Sequence, residues 1–250
     1  MQSVYITRKT FSDLADNPRV TDFEFSARRS CGRLRLAVST DRGNGWITID
    51  FSPLRLEALF SADDDTVLLC RLPEAGNRRH IADQIEAVLN DPAALLWQLS
   101  KRDHEGLPRA PCSPSPPSPS SETLTITAAT IRSLLSQSLV RDFVVGSDGK
   151  ECLFQFQPNP NAFLDVSSRA PNDWVGFDFN ETQLDCSWFD LNDTYHISSF
   201  NSLKAELASP LNDPLGHMLV SANTANFSSA AGGNKNEVFA LQASLRDAFQ

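Results

Sequence analysis

Strict alternation of apolar and polar residues predicts strands in this chain of 250 residues. In "WITIDF" (residues 46–51), Ile47, Ile49 and Phe51 recur with the period of two that is typical of a half-buried strand. The segment "RLRLAV" (33–38) has the same pattern. We expect the apolar trio to face the core, which leaves Trp46 and Asp50 on the opposite face of the sheet.

Apolar residues spaced by three or four positions predict helices elsewhere. The segment "TFSDLAD" (10–16) begins with a threonine suited to an N-cap, and "HIADQIEAVL" (80–89) places Ile81, Ile85 and Leu89 on one stripe. Asp91 is then expected to cap a turn that begins at Pro92. The predicted order of elements is helix, three strands, helix, strand, helix.

The chain repeats itself at a domain-sized interval. Residues 3–23 match 123–143 without a gap at seven positions, "NGWITIDFS" (44–52) resembles "NDWVGFDFN" (172–180), and "LNDP" occurs at 89–92 and 211–214. Three matches in the same order, with offsets that drift by a few residues, predict a tandem duplication. Each copy is predicted to be an α+β sandwich unit with a mainly antiparallel sheet, one face packed and the other free.

The sequence predicts four regions: a first α+β repeat over 1–104, a linker over 105–121, a second repeat over 122–220 and a polar tail over 221–250. The linker holds six prolines in 17 residues, a composition that buries little apolar surface and favours an extended spacer. Within the tail, "VFALQASLRDAF" places Val238, Leu241, Leu245 and Phe249 on a narrow helical stripe.

The repeated tryptophan and aspartate allow three interpretations. In the first, Trp46 and Trp174 cover a sheet edge or pack one repeat against the other, while Asp50 and Asp178 cap helices that follow at 53 and 181. In the second, these faces bind a partner, because tryptophan is a common interface anchor. In the third, the two aspartates meet across a pseudo-twofold axis as an acid and base pair.

Charge distinguishes the two repeats. Residues 1–104 hold 14 basic and 15 acidic residues, a net charge of −1, whereas residues 122–220 hold 5 and 13, a net charge of −8. Arg33 and Arg35 of the first repeat are expected on the exposed face of their strand. They are either solvated or complement the acidic second repeat across the contact between the two copies.

The acidic residues of the second repeat surround aromatic ones in "LDCSWFDLNDT", where Asp185, Asp190 and Asp193 flank Trp188 and Phe189. An acidic surface that contains aromatic side chains attracts a basic protein partner and repels nucleic acid. The segment therefore predicts a protein-binding surface, unless it is simply a solvated face.

Other chemistry has little support in the sequence. The five cysteines are widely spaced without a C-x-x-C pair, which predicts reduced thiols and no zinc site. The four histidines form no metal or triad motif, and no phosphate loop is present. No apolar run approaches the roughly 18 residues that span a bilayer. We expect no cofactor, no metal, no nucleic acid, no membrane contact and a cytoplasmic location.

The function predicted from these patterns is that of a non-enzymatic protein-binding module of the adaptor, chaperone-like or toxin-inhibitor (immunity protein) type, with a partner of basic character. The predicted binding residues are acidic and aromatic: Trp188, Phe189, Asp185, Asp190, Asp193, Trp46 and Trp174. The alternative is a hydrolase-type enzyme with its site between the repeats, in which Asp50, Asp178 and His80 would be catalytic.

Overall fold

The computed structural model describes residues 3–28, 31–40, 43–62, 65–73, 80–105, 124–163, 170–200 and 210–218. The first half of the chain contains six strands and three helices: β1 (Val4–Thr7), α1 (Arg8–Ala15), β2 (Val20–Arg28), β3 (Cys31–Thr40), β4 (Gly43–Ser52), β5 (Arg55–Ala62), β6 (Asp65–Leu72), α2 (Ile81–Leu89) and α3 (Pro92–Glu105).

The second half follows the same course as far as it is described. Its elements are β7 (Thr125–Thr127), α4 (Ala128–Ser136), β8 (Val140–Ser147), β9 (Cys152–Pro158), a short 3-10 helix (Pro160–Phe163), β10 (Pro171–Phe179), β11 (Leu184–Asp190) and β12 (Tyr195–Phe200). Helical turns at 210–212 and 214–218 come after them. The predicted linker (105–121) and tail (221–250) lie outside the described residues, apart from Glu105.

The strands form two six-stranded sheets, and every described pairing is antiparallel. The first sheet has the order β6-β5-β4-β3-β2-β7, and the second sheet has the order β1-β8-β9-β10-β11-β12. Each half therefore places its first strand in the sheet of the other half: Ile6 of β1 pairs with Val145 of β8, and Ile126 of β7 pairs with Phe25 of β2. The α+β class is confirmed, and the two halves are interlocked.

The helix that follows each exchanged strand is fixed by a threonine cap. The backbone N–H of Thr10 donates to the hydroxyl of Thr7 at 3.4 Å, and that of Thr130 donates to Thr127 at 3.3 Å. Such caps satisfy amide groups that have no partner within the helix. The first helix thus begins one turn earlier than predicted, because Thr7 and not Thr10 is its cap.

The repeated "LNDP" segments hold these caps in place. Asn90 accepts a hydrogen bond from the Thr10 hydroxyl at 2.5 Å, and Asn212 accepts one from the Thr130 hydroxyl at 2.9 Å. Asn90 also donates to the carbonyl of Tyr5 at 2.9 Å, which ties α2 to the exchanged strand β1. Asp91 accepts from Ala94 N at 3.3 Å and confirms the predicted cap ahead of α3.

Period-two alternation places the core as predicted. Ile47, Ile49 and Phe51 of β4 are fully buried, as are Val175, Phe177 and Phe179 of β10. The core faces of the two sheets meet, since the ring centroids of Phe25 and Phe179 lie 6.2 Å apart. Phe11 of α1 packs on Phe23 of its own half and on Phe143 of the other half, at 6.0 and 5.8 Å. One core therefore serves both halves.

The predicted order of elements is wrong in its middle part, because five strands follow the first helix before the next helix begins. No helix starts at 53 or 181: Pro53 and Leu54 form a tight turn, and Asn180 to Gln183 form the turn between β10 and β11. The sequence "RLEALF" (55–60) alternates with period two and buries Leu56, Ala58 and Phe60. Asp50 and Asp178 consequently cap no helix.

Candidate functional site: the outer face of the second sheet

Each sheet has a core face and an outer face that points away from the shared core. On the outer face of the first sheet, four residues form one row across neighbouring strands: Arg33 is opposite Asp50, Asp50 is opposite Glu57, and Glu57 is opposite Arg71. Arg33 binds both carboxylate oxygens of Asp50, at 2.6 and 2.7 Å. Arg71 Nε donates to Glu57 Oε2 at 2.8 Å. Two arginines thus neutralise two adjacent carboxylates.

The corresponding row of the second sheet has carboxylates at the two central positions, but no arginine at either end. Leu153 is opposite Asp178, Asp178 is opposite Asp185, and Asp185 is opposite Ser199. Aspartates that face each other across two strands repel, because their side chains lie close together. Within this row, the acid pair of the second sheet therefore has no cation of the kind that accompanies its counterpart.

This environment changes the protonation of Asp178. Partial burial, together with the negative charges of Glu151, Asp185 and Asp148, raises the pKa of Asp178 to about 6. The neighbouring Asp185 accepts from Gln183 Nε2 at 3.1 Å through one oxygen only. Its Oδ1 is buried, and no donor from the described residues reaches it. The pair thus contains at least one buried acceptor that lacks a donor.

The repeated tryptophans differ in the same way. The guanidinium carbon of Arg35 lies 4.2 Å from the ring centroid of Trp46, and Arg35 also binds Glu24 at 2.8 Å. Trp46 is therefore covered by a cation–π contact from within its own sheet. In the second sheet, the position equivalent to Arg35 is occupied by Gln155, which lies opposite Gly176 of β10. Trp174 therefore has no equivalent of the Arg35 contact, and it is 36% exposed.

An apolar patch lies beside the acid pair on the outer face of β11 and β12. Phe189, Tyr195 and Ile197 are 51%, 52% and 57% exposed. Phe189 and Tyr195 are opposite each other, with their ring centroids 5.1 Å apart. Together with Trp174, Asp178 and Asp185 these residues make up the surface that we call the acidic–aromatic face.

Three of the predicted binding residues lie in the core or in the β11–β12 turn. Trp188 lies on the core face with 5% exposure and stacks on His196 at 5.2 Å between centroids, so its predicted place at the surface is wrong. Asp190 is also buried, and its carboxylate accepts from Asn192 N, Thr194 N and His196 Nε2. These hydrogen bonds, that of His196 first, hold the pKa of Asp190 below its usual range. Asp193, at a φ of 57°, forms the same β11–β12 turn.

The three residues of the hydrolase alternative have separate surroundings. Asp50 is ion-paired with Arg33, Asp178 is surrounded by carboxylates of the second half, and His80 lies exposed at the start of α2, 3.3 Å from Asp83. An acid and base pair requires two groups within hydrogen-bond reach of one substrate. The neighbours of each residue therefore give this alternative no support.

Three further titratable groups belong to the packed interior. Burial raises the pKa of the Cys152 and Cys186 thiols and lowers the pKa of His217 to about 4. Among the described residues, no cluster of histidine, cysteine and acidic side chains is arranged to hold a metal ion. Within the same ranges, no helix is both long and apolar enough to cross a membrane.

Tyr195 and Ile197 were missed as surface residues by sequence reasoning. Their segment "TYHISSF" carries apolar residues at both alternating positions, so its period does not reveal which face is buried. The partner strand could have revealed it, because Tyr195 must share the face of Phe189. Comparison with known proteins adds no information, since no protein-family model, no curated protein and no solved structure matches the chain.

Proposed function

We propose that this chain is a non-enzymatic protein-binding module, of the adaptor, chaperone-like or toxin-inhibitor type, and that the acidic–aromatic face is its binding surface. The observation that carries the proposal is the contrast between the two outer faces. Arginines of the chain itself cover the carboxylates and the tryptophan of the first sheet, whereas the equivalent row of the second sheet contains no arginine and Trp174 is 36% exposed.

The chemistry of this face suits a protein better than a small substrate. Exposed Phe189, Tyr195 and Ile197 together offer apolar area of the kind that a partner desolvates, and aromatic residues are frequent interface anchors. The neighbouring carboxylates supply long-range attraction for a basic surface. The Trp46 side of the first sheet, predicted as a second binding surface, is closed by Arg35 and is not included.

We also infer that the halves arose by tandem duplication. The same element order and the matching caps at Thr7 and Thr127, each held by an "LNDP" asparagine, support this inference. In this view the second copy lost its surface arginines and gained a binding role. We place the protein in the cytoplasm, where free thiols such as those of Cys31 and Cys152 stay reduced.

The proposal is tested by removing the apolar patch without altering the core. The double variant Phe189→Ser with Ile197→Ser is compared with wild type and with Leu54→Ser, which removes a still more exposed apolar residue (76%) from the β4–β5 turn of the first half. Each protein is used as bait in extracts of the source cells, and captured proteins are quantified by mass spectrometry.

We expect at least one protein to be captured by wild type and by Leu54→Ser and to be lost with the double variant. Melting temperatures within about 2 °C of each other would show that all three are folded, as expected for substitutions at exposed positions. Identical sets of captured proteins for all three baits would contradict the proposal.

A further inference from the structure

The geometry points to an arginine of the partner as the group that occupies the acid pair, with its guanidinium bound by Asp178 and Asp185. This inference rests on the proposed function and names the chemistry of the partner at that surface. The partner's arginine would take the place that Arg33 or Arg71 takes in the first sheet.

The first argument is the internal comparison. The rows Arg33–Asp50–Glu57–Arg71 and Leu153–Asp178–Asp185–Ser199 have the same register across four strands. In the first row, the guanidinium groups of Arg33 and Arg71 bind the central acid pair. The second row presents two aspartates between a leucine and a serine, so the row supplies no guanidinium of its own.

The second argument is the unsatisfied acceptor. Asp185 Oδ1 is buried, and no described group donates to it. A buried acceptor without a donor is unfavourable, and a ligand N–H that binds this oxygen once the Asp185 side chain turns outward recovers part of that cost. Because Asp178 lies directly opposite, a donor placed here meets carboxylates from two strands at once.

Guanidinium fits this pair better than ammonium does. Two carboxylates side by side offer several oxygens in one region, and the planar fork of arginine donates to two of them in parallel. Arg33 binds Asp50 in this manner, with both distances below 2.8 Å. A lysine would deliver one compact, strongly hydrated charge and lose the second hydrogen bond.

The aromatic side chains define the rest of the contact. Phe189 and Tyr195 lie beyond Asp185 toward the β11–β12 turn, where apolar neighbours of the arginine would pack. Trp174 shares the outer face with Asp178 on β10. The partner segment is therefore basic and apolar at once, an arginine with hydrophobic residues next to it.

The test uses the full chain and three blocked pentapeptides, acetyl-Ala-Leu-Arg-Leu-Ala-amide and its analogues with lysine or citrulline at the centre. Citrulline keeps the planar shape and lacks the charge. Binding is followed at pH 7.5 by two-dimensional NMR through the amides of Asp178 and Asp185 and the indole N–H of Trp174. Carbon-detected titration of the Asp178 carboxyl gives its pKa in the free and bound states.

We expect saturable shifts with the arginine peptide, binding at least about fivefold weaker with the lysine peptide, and none with citrulline. The pKa of Asp178, about 6 in the free chain, should fall when the arginine peptide is bound, since a nearby cation favours the carboxylate. Equal affinity for the arginine and lysine peptides, or no saturable shift with any of them, would overturn the inference.

A variant in which an arginine of the chain itself binds the acid pair provides a second test. Ser199→Arg places an arginine where Arg71 stands in the first sheet, at an exposed position, and Ser199→Gln is the matched uncharged control. We expect Ser199→Arg to bind the arginine peptide at least about tenfold more weakly than wild type, while Ser199→Gln binds like wild type. Leu153→Arg, at the place of Arg33, fills the pair from the other side and should weaken binding similarly, provided that an unchanged melting temperature shows that the fold accepts an arginine at this buried position.

The outcomes separate this inference from the proposed function. If capture of a partner depends on Phe189 and Ile197 while Ser199→Arg and Leu153→Arg bind the arginine peptide normally, the binding surface stands and the arginine site is refuted. If capture does not depend on Phe189 and Ile197, the proposed function fails, whatever the peptides show.

Discussion

Replacing Asp178 with asparagine should stabilise this protein at neutral pH, although most substitutions of half-buried residues do the opposite. The carboxylate of Asp178 is partly buried and is surrounded by Glu151, Asp185 and Asp148, and no described cation neutralises it. Asparagine has nearly the same shape and removes one charge from this group. Repulsion among the remaining carboxylates is therefore lower in the variant.

The magnitude follows from proton linkage. A folded-state pKa of about 6, against an ordinary value of 3.8, corresponds to at most about 3 kcal/mol at 1.36 kcal/mol per pKa unit. The side chain keeps partial access to water, so screening reduces this figure and we expect about 1 kcal/mol. Because the pKa is raised on folding, the folded state binds more protons between pH 4 and 6, and the wild type loses stability as pH rises through that window.

The matched control is Asp50→Asn in the first sheet. Asp50 occupies the equivalent position, but its carboxylate is held by two hydrogen bonds from Arg33, whose side chain is mostly buried. Removing the charge leaves that guanidinium without its ionic partner, at a cost of about 1–3 kcal/mol. The same substitution at two equivalent positions should therefore change stability in opposite directions.

The assay is urea unfolding followed by tryptophan fluorescence at pH 4.5, 6 and 8. We expect the stability difference between Asp178→Asn and wild type to be small at pH 4.5 and to grow to about 1 kcal/mol in favour of the variant at pH 8. Asp50→Asn should be less stable than wild type at pH 8. A stability difference for Asp178→Asn that does not change with pH, or a loss of stability at pH 8, would refute the reasoning.

Three further predictions concern the fold. Trp188→Ala should lower the unfolding free energy by about 3–5 kcal/mol, measured by urea titration, because the indole is buried; a change below about 1 kcal/mol would contradict its place in the core. Asn90→Ala and Asn212→Ala should each cost about 1–3 kcal/mol by loss of the threonine cap contact, with the exposed Asn192→Ala as a control near zero. Fragments 1–105 and 124–250 should fold only when mixed, as judged by circular dichroism and gel filtration, because β1 and β7 each complete the sheet of the other fragment; independent folding of either fragment would contradict the interlocked arrangement.

Local patterns predicted local structure well. Period two in "WITIDF" predicts a strand and its buried face, and each of the repeated "LNDP" segments contributes an asparagine that binds a threonine of a capped helix. The same alternation was present in "RLEALF", where a helix was predicted after Asp50 instead. The period of two is correct at Leu56, Ala58 and Phe60, but the segment is too short for its pattern to exclude a helix. Its strand conformation is determined by pairing with β4.

Long-range features could not be read from the chain. The pairing of β1 with β8 joins residues about 140 positions apart, and the pairing of β7 with β2 joins residues about 100 positions apart. A strand of three or four residues is too short for its sequence pattern to indicate its partner strand. The burial of Trp188 was misjudged for a related reason. Its acidic neighbours Asp185 and Asp190 suggested a surface segment, whereas Asp190 turns inward and is satisfied by a turn and by His196.

The exchange of strands bears on how an open acid pair can persist in the second sheet. Phe11, Phe143 and the exchanged strands make a single core, so the folding free energy of both halves is shared. A cost of about 1 kcal/mol at Asp178 is then carried by one core built from both halves, whereas it would be a larger fraction of the stability of an isolated half. In the first sheet, arginines are paired to Asp50 and Glu57. If the proposed function holds, the interlocked fold lets that outer face contribute stability while the acid pair of the second sheet serves binding.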